Sequence, residues 1–146
     1  MKEKSMEPKP LMLVIKHTYK EWTNYMRKMA LECGIPDSYR MIIIHLSRHP
    51  GASQKDVAEN CQKTSAAISQ TVKEMQLTGY ITKETDEKDQ RFAKLYLTEK
   101  GQESADRLRE KIHEADRLIT SVVTTEKEAQ MIEFLEMLSE TIQTRL

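Results

Sequence analysis

Glycine is scarce in this chain, with 4 in 146 residues, beside 4 prolines, 2 cysteines, 1 tryptophan and 2 phenylalanines. A phosphate-cradling loop or a nucleophile elbow needs glycine at several fixed positions, and neither pattern is present. No metalloprotease helix or paired-acid arrangement occurs either, so no catalytic residue is assigned and the chain is not read as an enzyme. Two cysteines, Cys33 and Cys61, are too few for a disulfide framework. No apolar run approaches the ~18 residues that cross a bilayer, and no positively flanked apolar leader opens the chain. It therefore reads as a cytoplasmic protein with no membrane partner. A charge excess of either sign is missing too: 23 Lys and Arg balance 23 Asp and Glu, so net charge selects no partner.

What is present is regional. Residues 1–50 hold 9 basic and 5 acidic residues, residues 51–100 hold 8 of each, and residues 101–146 hold 6 and 10. Acid is concentrated at the C-terminal end, and screening confines its repulsion to about 8 Å at physiological salt. With 38% apolar and 32% charged residues and little glycine or proline, the chain reads as one helix-rich globular domain.

Periodicity places the elements. Leu11, Val14, Ile15, Tyr19, Trp22, Tyr25, Met26 and Met29 follow three-and-four spacing, predicting a helix that Gly34 and Pro36 end. Asp37 or Ser38 is placed to cap a second helix through Met41–Leu46, apolar nearly all round and so central. Ser53 and Asp56 have capping-box spacing and open a two-turn helix over Val57 and Ala58. After a short turn, Thr64 or Ser65 caps a longer helix with Ala67, Ile68, Val72 and Met75 inward and Gly79 as its stop. Short helix, tight turn and second helix is helix-turn-helix spacing.

The period then changes to alternation. Ile81–Thr85 and Ala93–Leu97 read as two strands joined by the charged tip Asp86–Arg91, a wing. Thr98 caps a long helix with Leu108, Ile112, Ala115, Leu118, Ile119 and Val122 on one stripe. Thr125 and Glu128 have capping-box spacing and restart a last helix through Ile132, Leu135, Leu138 and Ile142. The expected fold is mainly α: a winged helix-turn-helix over residues 37–100, between long dimerisation helices in 1–36 and 101–146. The outer stripes find no partner within the compact middle, so the expectation is a homodimer.

The chemistry of the second helix suits DNA. Lys63, Thr64, Ser65, Ala66, Ser69, Gln70 and Lys73 fall on its outer face, offering hydroxyls, an amide, two cations and a methyl that meets thymine. In the wing, Arg91 is the natural reader of a narrow minor groove, Asp89 orients it, and Lys88 and Gln90 take phosphates.

From Ser53 to Gly101 the chain resembles the multiple-antibiotic-resistance regulator (MarR) family of winged-helix repressors, with Asp89-x-Arg91 in the wing and Leu97-Thr98-x-x-Gly101 after it. The resemblance implies an intertwined dimer, a recognition helix at about Thr64–Thr78, a pseudo-palindromic duplex operator, and a ligand crevice between the dimerisation and DNA-binding parts. Arg91 then enters the minor groove with Asp89 positioning it. The implied function is a ligand-responsive repressor of transcription. Gln70 and Glu74 stand where many relatives carry basic residues, which lowers the expected phosphate affinity.

For the crevice, His17, Trp22 and Tyr25 with Tyr39 and Ile43 are candidate walls for a small aromatic or apolar effector. Two sensor readings of the same fold compete with it. His45 and His49 have metal-ligand spacing, with His113 or Cys33 to complete a site, yet the zinc-sensing relatives' cluster is replaced by Arg40 and Met41, and no metal or other cofactor is assigned. Cys61, beside a helix start and near Lys63, is the better thiol for oxidant sensing, while the peroxide-sensing relatives' cysteine near the start of the first helix is absent. A helical adaptor that binds other proteins and no DNA is the reading of a different class.

Overall fold

A computed structural model describes residues 9–85 and 93–145. In order these form α1 (Leu11–Glu32), α2 (Asp37–Arg48), β1 (Ala52–Ser53), α3 (Gln54–Cys61), α4 (Ser65–Leu77), β2 (Ile81–Thr85), β3 (Ala93–Leu97), α5 (Glu99–Thr120) and α6 (Thr125–Arg145). Contacts divide the chain into two compact units, Met1–Arg109 and Glu110–Leu146.

The core of the first unit is built on α2. Ile42, Ile43 and Leu46 are fully buried, as are Val57 of α3, Ile68, Val72 and Met75 of α4, Leu95 of β3 and Leu108 of α5, and α2 packs against α3, α4 and β3. An all-round apolar helix is central because every face of it must be covered. α1 divides along its length: Met26, Met29 and Ala30 are buried, whereas Leu11, Val14, Tyr19 and Tyr25 are exposed. In the second unit Leu118, Ile119, Met131, Leu135 and Ile142 are exposed.

The sheet has three antiparallel strands in the order β1-β3-β2, so the wing hairpin has an extra partner. Ile81 pairs with Leu97 and Thr85 with Ala93, matching the expected hairpin, while Ala52 and Ser53 pair with Leu95 and Lys94. A two-residue strand shows no alternation, which is why β1 leaves no sign in the sequence.

Helix starts follow the capping rules with two shifts. Ser53 Oγ accepts from the Asp56 amide at 3.1 Å and the Asp56 carboxylate accepts from the Ser53 amide at 2.9 Å, completing the expected box on α3. The Ser53 hydroxyl, which donates to the same carboxylate at 2.7 Å, and then the Ser53 amide hold the Asp56 carboxyl below its ordinary value. Asp37, however, is not a cap. It is the first residue of α2 after Pro36, and its carboxylate is taken by Arg27 and Arg40 instead. On α6 the capping hydroxyl belongs to Thr124, which accepts from the Lys127 amide at 3.3 Å, so the start lies one residue before the Thr125 box. Ala67, expected inward on α4, is exposed, because the buried stripe runs Ile68, Val72, Met75 without it.

Candidate nucleic-acid interface

The joint between α3 and α4 is a tight turn. Gln62 takes a left-handed conformation with φ 51°, and the Lys63 amide donates to the Ala58 carbonyl at 3.0 Å, closing the end of α3. A non-glycine residue in that region costs of order 1 kcal/mol, sustained here by the buried pair Val57 and Ala58 on one side and Ile68 on the other. Thr64 then caps α4, its hydroxyl accepting from the Ala67 amide at 3.2 Å.

With Ile68, Val72 and Met75 held in the core, α4 presents Lys63, Thr64, Ser65, Ala66, Gln70 and Lys73 to solvent. Ser69 differs from expectation in being half-buried, since it follows Ile68 toward the core edge. Gln70 is committed as well: its Nε2 donates to Glu74 Oε1 at 3.0 Å. Lys88, Asp89, Gln90 and Arg91 lie outside the described residues. At the base of the wing Lys83 and Lys94 are exposed cations that the strand pattern passes over, because alternation reports only which residues face inward.

The far end of α4 is locked from behind. Lys100 Nζ donates to the Thr78 carbonyl at 2.8 Å and sits 4.3 Å from the centre of the Tyr80 ring. Thr98 Oγ1 donates to the Gly79 carbonyl at 2.6 Å and accepts from the Gly101 amide at 3.1 Å. Tyr80 packs edge-on against Tyr39 at 5.3 Å. The Leu97-Thr98-x-x-Gly101 pattern is thus a fastening between α4 and α5, a role the spacing alone does not disclose.

The proposed crevice residues separate. Tyr39 and Ile43 are core residues at 5% and 0% exposure, so they offer no open wall. Aromatic Tyr39 is absorbed by its contact with Tyr80, and Ile43 by the all-round burial of α2. Trp22 stacks on Tyr25 at 5.7 Å, and His17 is exposed. An open cleft of about 550 Å³ lies instead between α1, α2, the end of α3 and the start of α4, and none of the five residues lines it.

Neither sensor pair acquires a site. His45 and His49 rings lie 4.9 Å apart, and among the described residues no three His, Cys, Asp or Glu side chains are grouped to hold a metal ion. Burial pushes the Cys61 thiol above its usual value, outweighing the opposing pull of Lys63, so the thiolate that oxidant sensing needs is disfavoured. His45 is pushed below its ordinary value, first by burial and then by His49, against smaller opposing effects of Asp56 and Asn60, and its Nε2 is buried without a hydrogen-bond partner among the described residues. The unfolded chain therefore takes up a proton that the folded chain resists. Stability that His45 contributes is present above the unfolded value near 6.5 and is lost as pH falls toward the lower folded value. Urea midpoints measured from pH 8 to pH 5 should decline below about 6.5, and His45→Leu should flatten that decline; equal slopes for both proteins would remove His45 from the account.

Residues 34–91 match the family model described as the MarR family. The HTH-type transcriptional regulator BilQ of Clostridium symbiosum is 25% identical over 126 residues, covering 86% of this chain and 88% of that protein. Among solved structures, a MarR family transcription regulator superposes with a TM-score of 0.84 at 19% identity, covering 90% of this chain and 87% of that one. The S. aureus MepR-DNA complex gives 0.77 at 17% identity, covering 91% and 98%. With a helix-turn-helix, a three-stranded sheet and flanking long helices, the chain has the fold of these MarR family structures, and its residues 34–91 are similar to the MarR family model.

Proposed function

We propose that the chain is a sequence-specific regulator of transcription that binds double-stranded DNA as a homodimer, most simply as a ligand-responsive repressor. The observation that carries the reading is α4. Its inner stripe is fixed in the core while Lys63, Thr64, Ser65, Ala66, Gln70 and Lys73 face solvent at the start and middle of the helix, where a recognition helix meets base edges. S. aureus MepR, a protein of this fold, is known in complex with DNA, which supports the same reading.

In this reading α4 enters the major groove and the wing lies beside it, with Arg91 in the minor groove, Asp89 holding it, and Lys88, Gln90, Lys83 and Lys94 near phosphates. Residues 1–36 and 101–146 form the dimerisation part, where a second copy covers exposed Leu11, Val14, Leu118, Ile119, Leu135 and Ile142. Two copies read two half-sites of a pseudo-palindrome about one helical turn apart. Such a protein acts in the cytoplasm, on the chromosome, and needs neither a catalytic residue nor a cofactor.

The test is affinity for a palindromic duplex selected by the protein from random sequence, measured across a salt series. A regulator loses affinity steeply with salt and prefers the selected duplex to random DNA by at least about 10³. Absence of both would favour the adaptor. Arg91→Ala should weaken binding to the selected duplex by about tenfold to a hundredfold with the sedimentation of the free protein unchanged. Parental affinity in that variant would take the wing out of the mechanism.

A further inference from the structure

Among the described residues four take a positive φ, and three of them are glycines: Gly34 at 72°, Gly51 at 82° and Gly79 at 75°. Gly34 and Gly79 stand just past the ends of α1 and α4, where a left-handed residue turns the chain out of a helix. At neither would a Cβ meet another atom within 4 Å, so backbone conformation alone asks for glycine there. The fourth is Gln62, at φ 51° and ψ 43° on the end of α3. At one kind of helix end, then, the chain uses glycine twice and keeps a long side chain once.

That side chain has no task inside the molecule. Gln62 is exposed, and among the described residues its side-chain amide forms no hydrogen bond. The bonds that close α3 come from the backbone, the Gln62 amide donating to the Glu59 carbonyl at 3.2 Å and the Lys63 amide to the Ala58 carbonyl at 3.0 Å, and glycine would form both. Cys61 and Lys63, on either side of it, border the cleft, and Gln62 does not. Exposed Lys63, Thr64 and Ser65 follow it directly. A strained residue whose side chain serves nothing within the fold points to a role outside it.

We propose that Gln62 is a DNA-contacting residue whose amide donates to a backbone phosphate at the edge of the groove that α4 enters. The proposal rests on the DNA-binding reading of α4. In a helix-turn-helix the first helix crosses the sugar–phosphate backbone and the start of the second meets base edges. Gln62 lies between them, two residues before the Thr64 cap, so its reach is to phosphate and not to a base. A primary amide brings two donors and no charge. The contact therefore fixes the turn on the duplex without releasing a counterion, unlike that of its neighbour Lys63.

The experiment compares the full-length protein with Gln62→Gly and Gln62→Lys in thermal unfolding and in binding to two duplexes, the selected palindrome and a 30-base-pair duplex of random sequence, across a salt series. Gln62→Gly should move stability and binding in opposite directions. Its thermal midpoint should rise by about 2 °C as the left-handed strain is relieved, while affinity for both duplexes falls by about tenfold with the logarithmic salt slope unchanged. Gln62→Lys keeps a long side chain and the same backbone strain, and adds a charged donor at that place. Its salt slope should steepen by about one per chain. Parental affinity in Gln62→Gly, or a parental slope in Gln62→Lys, overturns the contact. A loss of affinity confined to the selected duplex overturns the assignment to phosphate, and a loss accompanied by a lower midpoint makes Gln62 a structural residue and overturns it too. If the parent protein itself binds neither duplex, the DNA-binding reading has failed and the proposal falls with it, an outcome separate from failure of the variants alone.

Discussion

Gly101→Ala should destabilise the protein by about 3 kcal/mol or more, the upper end of what overpacking a close-packed core costs. A methyl group there collides with the Tyr80 carbonyl oxygen and comes to 3.1 Å from Leu97 Cδ2. The carbonyl has little room to yield, since it accepts from the Thr98 amide at 3.0 Å and directly follows the Thr78 and Gly79 carbonyls that Lys100 and Thr98 fasten. Nor is the glycine there for an unusual backbone angle, as its φ is not positive; what the site demands is absence of a side chain. At fixed protein concentration the thermal midpoint should drop by about 10 °C, taking roughly 3 °C per kcal/mol for a chain of this size. A shift under about 2 °C would show that α4 and α5 slide apart readily, and that the fastening is loose.

Gln70→Ala should cost about tenfold to a hundredfold in affinity for the selected duplex, concentrated at a single base pair, because a bidentate amide–adenine pair is worth about 1–3 kcal/mol of discrimination. Binding to random duplex should change far less. In the free protein the Gln70 amide is held by Glu74 at 3.0 Å, so the amide must turn from that carboxylate to reach a base. Glu74→Ala supplies the complementary result: it frees Gln70 and removes a negative charge near phosphate, so affinity for selected and random duplex alike should rise. A base-preference profile of Gln70→Ala that matches the parent at every position would exclude Gln70 as a reader.

Much of this architecture was legible because its signals are local. The Ser53–Asp56 box, the Thr64 cap and the alternation of Ile81–Thr85 and Ala93–Leu97 each depend on residues within a few positions of one another. The outward set on α4, Ser69 excepted, was legible for the same reason, through the period of Ile68, Val72 and Met75, which also misplaced Ala67. What escaped involves partners far along the chain. Asp37 has capping chemistry in sequence but serves Arg27, ten residues away, and Arg40. Tyr39 looked available as an aromatic wall because nothing near it announces Tyr80, the ring that covers it. The cationic cleft collects residues from four helices and has no motif at all. Gly101 matched a pattern by resemblance, but the reason for it is a carbonyl oxygen 21 positions earlier.

Thr98 is the single residue between β3 and α5, and the same side chain grips Gly79 just past α4. β3, α5 and the end of α4 therefore share one axle: a twist applied to the first turn of α5 is passed through Thr98 to β3 and to α4 together. In the proposed reading, the spacing between α4 and the base of the wing is consequently set within the protomer. Inserting even one residue at Thr98 would desynchronise the two, whereas changes in the length of an operator would have to be met elsewhere in the chain.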